Sequence, residues 1–254
     1  MRNNILVTGS SGFLGSHLMK VLGDKAVGYD IKNGDDILDW DYLDIAMANC
    51  NKVVHLAAVS NIQDVNKNPS LAVMTNIIGT WNVLTLAKQH HIKKVIVASS
   101  AATKKPELSL YGTTKDSMEK LCALFNNCII SRFYNIYGEG SKSVVNKFLT
   151  SALHNKAVVL NGDTTRDYLY VDDLMVALTR LLDNEDPPKV IEMGTGQPTS
   201  LKRLVDTIEL VIDGDVNVIN GKPLKEIQYS SCEKPYYYRT SLYDGIKKLW
   251  QTIS

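Results

Sequence analysis

A run of closely spaced glycines between an apolar strand and a helix-forming segment most constrains how this chain can fold. Residues 5–7 are apolar, and Gly9, Gly12 and Gly15 follow them at intervals of three residues. Glycine lets the backbone turn tightly, and the N-terminus of the next helix offers unpaired N–H groups to an anion. The spacing therefore predicts a turn that holds a phosphate group, with a simple packing turn as the alternative.

Strand and helix patterns alternate along the first half of the chain. The apolar runs predicted to be strands are residues 5–7, 26–29, 53–56, 94–98 and 128–132. The predicted helices are residues 13–22, 70–91 and 111–126. Continuous apolar strands separated by helices indicate βαβ units with a parallel sheet covered on both faces. The expected fold class is therefore α/β, with a doubly wound parallel sheet.

The second half of the chain has shorter elements separated by proline-containing turns. We expect a dinucleotide-binding domain at residues 1–140, with residues 157–173 and 188–196 returning to its sheet or to the edge of that sheet. Residues 141–254 would mostly form a smaller lobe. No internal repeat or low-complexity tract interrupts this division.

Composition and charge narrow the possible function classes. The chain has 254 residues, with 28 Lys plus Arg against 27 Asp plus Glu, which gives a net charge of +1. A nearly neutral chain lacks the basic face that a dedicated nucleic-acid-binding protein needs. Four cysteines without C-x-x-C spacing predict neither a disulfide scaffold nor a zinc site, and no metal is expected.

Targeting and membrane signals are not expected either. No uninterrupted apolar run approaches the ~18 residues that a membrane span needs. Residues 1–4 lead directly into the first predicted strand rather than into a signal peptide. The sequence thus predicts a cytoplasmic protein without membrane contact.

An acidic residue lies where a dinucleotide-binding fold selects its cofactor. The second predicted strand ends next to Asp30, 21 residues after Gly9. A carboxylate at this position accepts hydrogen bonds from the 2′-hydroxyl of an adenosine ribose and repels a 2′-phosphate. The sequence therefore favours NAD over NADP, and a solvated loop carboxylate is the alternative.

Three residues suggest chemistry at the carboxyl edge of the sheet. Tyr111 and Lys115 are four residues apart at a predicted helix start, which places them on one face. Tyrosine is a weak base at neutral pH, but a nearby ammonium group favours its phenolate form, and the pair can then move a proton while a hydride moves to NAD. The same spacing also arises by chance. Ser100 follows the fourth predicted strand and could bond a substrate hydroxyl, with helix capping as the alternative.

In this order, the motifs resemble the extended short-chain dehydrogenase/reductases, specifically the nucleotide-sugar epimerases and dehydratases, and among these the UDP-sugar 4-epimerases most. The resemblance covers essentially the whole chain. It implies a Rossmann-like sheet with a small α/β substrate-binding lobe. The motifs are residues 8–15, 36–37, 55–58, 76, 79–80, 99–100, 111–115, 132–138 and 166–173.

The resemblance implies a role for each matching residue. Tyr111 would be the general base, Lys115 its partner at the nicotinamide ribose, and Ser100 the ligand of the substrate hydroxyl. The residues expected to bind NAD are Gly9, Ser11, Gly12, Phe13, Leu14, Gly15, Asp30, Asp36, Ile37, Leu56, Ala57, Ala58, Asn76, Tyr111 and Lys115.

The resemblance also implies residues for a nucleotide-sugar substrate. Asn135 and Arg166 would hold it, with Arg166 at the diphosphate, because guanidinium pairs well with phosphate oxygens. A surface ion pair of Arg166 with Asp163 or Asp167 is the alternative. Lys234 stands where relatives often place a second phosphate-binding arginine.

Two departures from the family bear on the substrate. Only ten residues separate Ser100 from Tyr111, where relatives carry a longer segment, and the carboxy-terminal lobe is compact. A trimmed sugar pocket is therefore expected. Aligning residues 234–244 with the family's carboxy-terminal motif places Ser241 beside the C2 substituent of the sugar. Its small side chain predicts that an N-acetyl group is accepted, whereas a two-residue shift would place Tyr243 there.

The resemblance leaves several reactions open. Family members can begin by oxidising C4 of the sugar, and a 4,6-dehydratase adds an Asp-Glu pair where this chain has Ala101 and Ala102. A 4-keto-sugar reductase usually uses NADPH, which Asp30 disfavours. A NAD-dependent UDP-sugar 4-epimerase is therefore expected. A dehydratase or reductase of the same fold and a non-catalytic NAD-binding regulator are the alternatives.

Relatives often dimerise through two helices of each subunit, and a homodimer is expected here through residues 70–91 and 111–126. Met118, Leu121, Cys122 and Phe125 of the second helix could line that interface or belong to the core.

Overall fold

Two compact units form the structure, a computed structural model that describes residues 4–162, 164–221 and 231–254. The first unit comprises Met1–Arg132 and Leu178–Ile191, and the second comprises Phe133–Ala177 and Glu192–Ser254. The first unit therefore consists of two separated stretches of the chain.

A six-stranded sheet is the largest element. Its strands are β1 (Asn4–Thr8), β2 (Ala26–Tyr29), β3 (Cys50–His55), β4 (Lys94–Ser100), β5 (Cys128–Phe133) and β9 (Val190–Met193), in the order β2-β1-β3-β4-β5-β9. The pairings of β1 with β2, of β1 with β3 and of β3 with β4 are parallel. Since β2 and β3 lie on opposite sides of β1, the strand order reverses beside β1, where open α/β sheets bind their ligands. The expected α/β class with a Rossmann-like parallel sheet is confirmed.

The helices of the first unit mostly begin after a short polar residue whose side chain accepts a hydrogen bond from a free backbone N–H group of the helix. They are α1 (Phe13–Leu22), α2 (Trp40–Met47), α3 (Ile62–Lys67), α4 (Pro69–Val73), α5 (Thr80–Gln89) and α6 (Leu110–Cys122). Asp39 caps α2, Asn61 caps α3, Asn68 caps α4 and Ser109 caps α6. Such caps contribute about 1 kcal/mol each. The exceptions are α1 and α5, which follow Gly12 and Gly79 and have no side-chain cap among the described residues.

One turn of π-helix, Met74–Gly79, joins α4 to α5 and makes Pro69–Gln89 a single continuous helix. By length and composition alone, with a mean hydropathy of 1.3, this helix could cross a membrane, although polar residues interrupt its apolar positions. Half of it is buried inside the protein, and the core helix of a soluble protein meets the same criteria.

The core of the first unit lies between the sheet and its helices. Leu6, Val53 and Val95 of the strands are not exposed at all, and they pack with the buried faces of α5 and α6. Met118 and Cys122 are each 1% exposed, so these α6 residues belong to the core.

The second unit has two small sheets. One has the strands β6 (Asn135–Tyr137), β8 (Thr165–Tyr170) and β10 (Pro198–Ser200), and the other has β7 (Val158–Leu160) and β11 (Val218–Asn220). The helices are α7 (Val144–Leu153), α9 (Leu201–Ile212) and α10 (Leu242–Ile253), while α8 (Val171–Asp183) begins in this unit and ends in the first.

Two sequence-based expectations differ from this arrangement. Residues 157–173 do not return to the large sheet, because β7 pairs with β11 and β8 pairs with β6 and β10. The helix predicted at residues 111–126 ends at Cys122, where Phe125 N–H bonds to the Cys122 carbonyl in a tighter turn and two asparagines, poor helix formers, follow.

Lys94 fastens the second stretch of the first unit to the first stretch. Its Nζ donates to the carbonyls of Leu181 and Leu182, each at 2.9 Å, and to the carbonyl of Asn184. These carbonyls lie at the end of α8, where they lack helical partners and carry partial negative charge. On β5, Ile130 N–H donates to the Lys189 carbonyl at 2.8 Å. The returning segment is therefore hydrogen-bonded into the sheet layer.

Candidate active site

The glycine-rich turn brings three backbone segments together too closely for side chains. Gly9 has φ +72°, and a Cβ there would lie 2.7 Å from the Ala57 nitrogen. A Cβ on Gly15 would lie 2.0 Å from the Gly9 carbonyl oxygen. Any larger residue at either position would force the turn away from β3 or from α1. Such close approach is what a pyrophosphate-binding turn requires.

The N-terminus of α1 is available to an anion. Gly12 precedes the helix in an extended conformation and provides no side-chain cap in the part of the chain described. The first backbone N–H groups of the helix, including those of Phe13 and Leu14, lie beside the positive end of the helix dipole. Both features fit the diphosphate of a dinucleotide.

Asp30 is fixed beside this turn at the end of β2. Its carboxylate is buried and accepts hydrogen bonds from the backbone N–H groups of Ser11 and Lys32, both at 2.9 Å. An ionised carboxylate has about four acceptor positions, so two remain for ribose hydroxyls. The geometry fits the expected role of Asp30 in binding NAD.

The residues expected at the adenine side are held by the protein itself. Asp36 accepts from the Leu38 N–H at 2.9 Å. Ile37 is 4% exposed and packs on Gly79, where a Cβ would lie 2.4 Å from the Ile37 Cδ1. Ile37 therefore shapes this region mainly as a core residue.

The loop after β3 runs next to the glycine-rich turn. Leu56 N–H donates to the Thr8 carbonyl at 3.1 Å, and Ala57 N–H donates to the Thr8 Oγ1 at 3.3 Å. Leu56, Ala57 and Ala58 are all half-buried. Their position fits the cofactor contact that the resemblance implies.

The chemical triad of Ser100, Tyr111 and Lys115 belongs entirely to the first unit. Ser100 ends β4, is half-buried, and accepts a hydrogen bond on its Oγ from the Ala102 N–H. Tyr111 is the second residue of α6, just after the Ser109 cap, and Lys115 follows one turn later. Gly112 lets this helix start pack on the short connection, because a Cβ there would lie 3.1 Å from the Ala102 carbonyl oxygen.

Lys115 is an unusual lysine because it is buried. It is 3% exposed, and its Nζ donates to the Ala98 carbonyl at 2.8 Å. Burial lowers the pKa of Lys115 to about 8, although Cys122 and Glu119 oppose that shift. A lysine held in this way presents its charge at one fixed place beside Tyr111.

A buried ion pair near Ser100 was missed by the sequence analysis. The Glu119 carboxylate receives two hydrogen bonds from Arg132 Nε and one at 2.6 Å from Arg132 Nη2, and Ser99 donates to it as well. These contacts link α6, β5 and the residue before Ser100. In the sequence, only the position of Glu119 one helical turn after Lys115 pointed to this ion pair.

Asn76 has no amide hydrogen left for a cofactor. Its side chain is fully buried, its Oδ1 accepts from the Val59 N–H, and its Nδ2 donates to the Val59 carbonyl and to Thr114 Oγ1. The amide hydrogens of Asn76 are therefore used within the protein, and its expected role in binding NAD stays a prediction.

In the second unit, Asn135 and Arg166 lie on neighbouring strands. Asn135 of β6 is opposite Tyr168 of β8, and its Nδ2 donates to the Asp167 carbonyl at 3.2 Å. The Asp167 carboxylate is buried and accepts from Thr195, Gly196 and Cys232. The Asp167 carboxylate is therefore bound to two distant segments of the second unit, at residues 195–196 and at Cys232. Asp163 lies outside the described residues.

Lys234 is exposed, whereas the side chain of Ser241 is used to cap a helix. Ser241 is the N-cap of α10: its Oγ accepts from the Asp244 N–H at 3.1 Å and donates to Asp244 Oδ2 at 2.6 Å. The hydroxyl is therefore used inside the protein, and a substitution at this position also removes a cap.

Comparison with known proteins agrees with this geometry. A family model, the NAD dependent epimerase/dehydratase family, matches residues 5–194. The chain is 30% identical to a putative UDP-glucose 4-epimerase of Methanocaldococcus jannaschii, over 86% of both chains. It is 27% identical to a probable UDP-glucuronate 4-epimerase of Rhizobium meliloti, over 87% of this chain and 85% of that protein.

Among solved structures, the UDP-glucose 4-epimerase of Thermotoga maritima with UDP-glucose matches with a TM-score of 0.86 and 26% identity, over 98% of both chains. The residues that the resemblance singled out form a turn and a triad suited to such chemistry. The chain therefore belongs to the NAD dependent epimerase/dehydratase family and is an enzyme with NAD as its cofactor.

Proposed function

We propose that this enzyme is a nucleotide-sugar 4-epimerase. One observation carries the proposal: Ser100, Tyr111 and Lys115 are held on β4 and α6 in the same unit as the glycine-rich turn, and no carboxylate directly follows Ser100. Ala101 and Ala102 are buried there, at 4% and 1% exposed. A site with one acid/base residue suffices for oxidation and reduction at C4, whereas a dehydration needs further acids and bases.

Three residues of the first unit have different roles in the proton transfer. Tyr111 takes the proton of the C4 hydroxyl and later returns it to the ketone oxygen. Lys115 stabilises the phenolate with a charge that cannot move away, because its Nζ is anchored on Ala98. Ser100 receives or donates a hydrogen bond at the reacting oxygen. NAD, when bound, accepts the C4 hydride and gives it back.

We propose a UDP-sugar as the substrate, since the two curated relatives and the Thermotoga maritima enzyme are named for UDP-sugars. Asn135 and Arg166 would bind the nucleotide sugar, with the Arg166 guanidinium on the diphosphate. Lys234 would add a second positive charge, and its single ammonium would bind phosphate without the two-pronged geometry of arginine.

We further propose a cytoplasmic homodimer. Leu71, Met74, Ile78 and Trp81 follow one another at intervals of three and four residues along Pro69–Gln89, and each is 40–47% exposed. This apolar stripe, formed by these four residues, is what one face of an interface helix should present. Met118 and Cys122 are in the core and are not part of the proposed interface.

The decisive experiment uses UDP-glucose and UDP-N-acetylglucosamine that carry deuterium at C4. An epimerase returns the same hydride, so the product is the 4-epimer with its deuterium retained, detected by NMR after chromatography. The Tyr111→Phe protein is the matched control. A 4-keto-6-deoxy product would identify a dehydratase, and bound NAD without any turnover a regulator. In a parallel incubation with NADPH and a UDP-4-keto-6-deoxy sugar, consumption of NADPH would identify a reductase.

A further inference from the structure

Five buried polar residues of the first unit form one hydrogen-bonded series through its interior, linked by their side chains and, at Asn76, also by its backbone carbonyl. We call them the buried polar network, and none is more than 2% exposed. They are contributed by the strand before the glycine-rich turn, the end of β3, the π-helix, α5 and α6. The members are Thr8, His55, Asn76, Thr80 and Thr114.

The direction of each hydrogen bond at His55 follows from its neighbours. Thr80 Oγ1 donates its only hydrogen to the Asn76 carbonyl at 2.7 Å. It must therefore accept from His55 Nε2 at 2.9 Å, and this puts the imidazole hydrogen on Nε2. His55 Nδ1 then accepts from the Thr8 hydroxyl at 2.7 Å. Burial and the Lys115 charge lower the pKa of His55 to about 3, so the ring stays neutral.

The two ends of the network reach the two halves of the site. At one end, Thr8 Oγ1 accepts from the Ala57 N–H beside the glycine-rich turn. At the other end, Asn76 Nδ2 donates to Thr114 Oγ1 at 3.0 Å, and Thr114 Oγ1 donates to the Tyr111 carbonyl at 2.9 Å. A single set of oriented bonds thus connects the NAD-binding turn with the helical turn that carries Tyr111.

An apolar core could fill the same space, but it would not fix a direction or a register. Buried polar groups that are fully paired specify one arrangement, because leaving one of them unpaired is strongly unfavourable. Hydride transfer is sensitive to small displacements, since a shift of about 1 Å can lower the rate about 100-fold.

We propose that the buried polar network positions Tyr111 and the NAD-binding turn relative to each other, with His55 and Thr80 as its central positioning residues. We expect the network to affect NAD binding because the chain belongs to a family of NAD-dependent enzymes. The expected effect of the network on turnover rests on the proposed 4-epimerase function. Neither His55 nor Thr80 needs to contact the cofactor or the sugar, because both act through Thr8 and Asn76.

The first test concerns the tautomer of His55 and needs no substrate. The 15N signals of the imidazole are assigned by their loss in His55→Gln. We expect a neutral ring with its hydrogen on Nε2 and no titration between pH 5 and 8. A hydrogen on Nδ1, or titration within that range, would overturn the proposed network.

The second test compares Thr80→Val with a matched control on the same helix. Thr85 lies five residues later, and its buried Oγ1 has no hydrogen-bond partner within the described residues. We expect Thr80→Val to weaken NAD binding ~10-fold and lower kcat at least ~10-fold, with little change in KM for the sugar. Thr85→Val should change none of these values, and Thr80→Ser should restore them because the hydroxyl returns.

A purely structural role would lower the unfolding temperature of Thr80→Val but leave NAD affinity and kcat per folded molecule equal to those of Thr85→Val. That result would overturn the positioning role. If the wild-type protein turns over no UDP-sugar, the proposed epimerase function fails, while the NAD affinities and the NMR signals still decide the network.

Discussion

Tyr111 is the residue on which the proposed chemistry depends most. Replacing it with phenylalanine removes the phenolic hydroxyl and leaves the glycine-rich turn intact. We expect kcat to fall by ~10²–10⁴-fold, the usual contribution of a general acid/base, while the protein still binds NAD. Steady-state kinetics and calorimetry measure the two quantities. A variant with near wild-type kcat would remove Tyr111 from the mechanism.

Asp30 makes the choice of cofactor testable at a single side chain. Its carboxylate already binds two backbone N–H groups, which holds its charge at the end of β2. We expect the wild type to bind NAD more tightly than NADP and Asp30→Ala to narrow that difference, because the repulsion of the 2′-phosphate disappears. Dissociation constants for both cofactors decide this. Tighter binding of NADP by the wild type would contradict the role of Asp30 and favour a reductase.

Lys115 gives the NAD-free protein a specific pH dependence. Its pKa is 10.5 in an unfolded chain and about 8 when folded, so the unfolded chain binds more protons between these values. The stability of the folded state should therefore rise as the pH increases from about 8 to 10.5.

Lys94 also has a lowered pKa and contributes in the same direction, so the informative quantity is a difference. Urea unfolding of the wild type and of Lys115→Met across this range isolates the Lys115 contribution. We expect the stability advantage of Lys115→Met to shrink as the pH rises. A constant difference would mean that the lysine is not buried as described.

At the scale of elements, the cap of α10 changes how the sugar-size hypothesis must be tested. Ser241→Tyr would narrow the expected C2 pocket and also remove an N-cap, which costs about 1 kcal/mol. Ser241→Gly keeps the residue small and costs only a few tenths of that cap energy.

The ratio of kcat/KM for UDP-N-acetylglucosamine to that for UDP-glucose separates these effects. We expect Ser241→Tyr to lower the ratio and Ser241→Gly to leave it unchanged. If Ser241→Tyr lowers kcat/KM for both sugars by the same factor, the side chain does not face the C2 substituent and only the helix cap is affected.

Local patterns made the elements of the first half predictable. The glycine spacing, the apolar strands and the position of Asp30 each depend on residues close in sequence, and they predicted the turn, the sheet and the cofactor. The buried polar network was not predictable in this way. Its bonds join residues as far apart as Thr8 and His55, and nothing in the sequence distinguishes Thr8, Thr80 and Thr114 from other threonines.

The second half was harder to predict, because its strands have only three to six residues and pair across long loops. Residues 157–173 contain short apolar runs that resemble those of the large sheet. Their actual partners in β6, β10 and β11 are fixed by tertiary packing. The helix α10 was not predicted, although Leu242, Ile246 and Leu249 follow one another at helical spacing after its Ser241 cap. Short elements carry too little periodicity to choose between alternative sheets.

At the scale of the whole molecule, the apolar stripe predicts self-association. We expect the wild-type protein to sediment as a dimer and Met74→Glu to dissociate it, because the charge would be buried at the interface. Leu210→Glu is the matched control: Leu210 is 72% exposed on α9, and the variant should remain dimeric. A monomeric wild type would contradict the proposed homodimer.

The contacts of Lys94 and Ile130 have a consequence for synthesis on the ribosome. The strand β9 is made about 60 residues after β5, its neighbour in the sheet. A nascent chain that ends at Arg132 therefore has an open edge on β5, and its Lys94 lacks the carbonyl partners at the end of α8. Open strand edges pair readily with other chains. The nascent first unit is therefore most exposed to aggregation while residues 133–189 are being added, and it becomes complete only after Phe133–Ala177 of the second unit has been made.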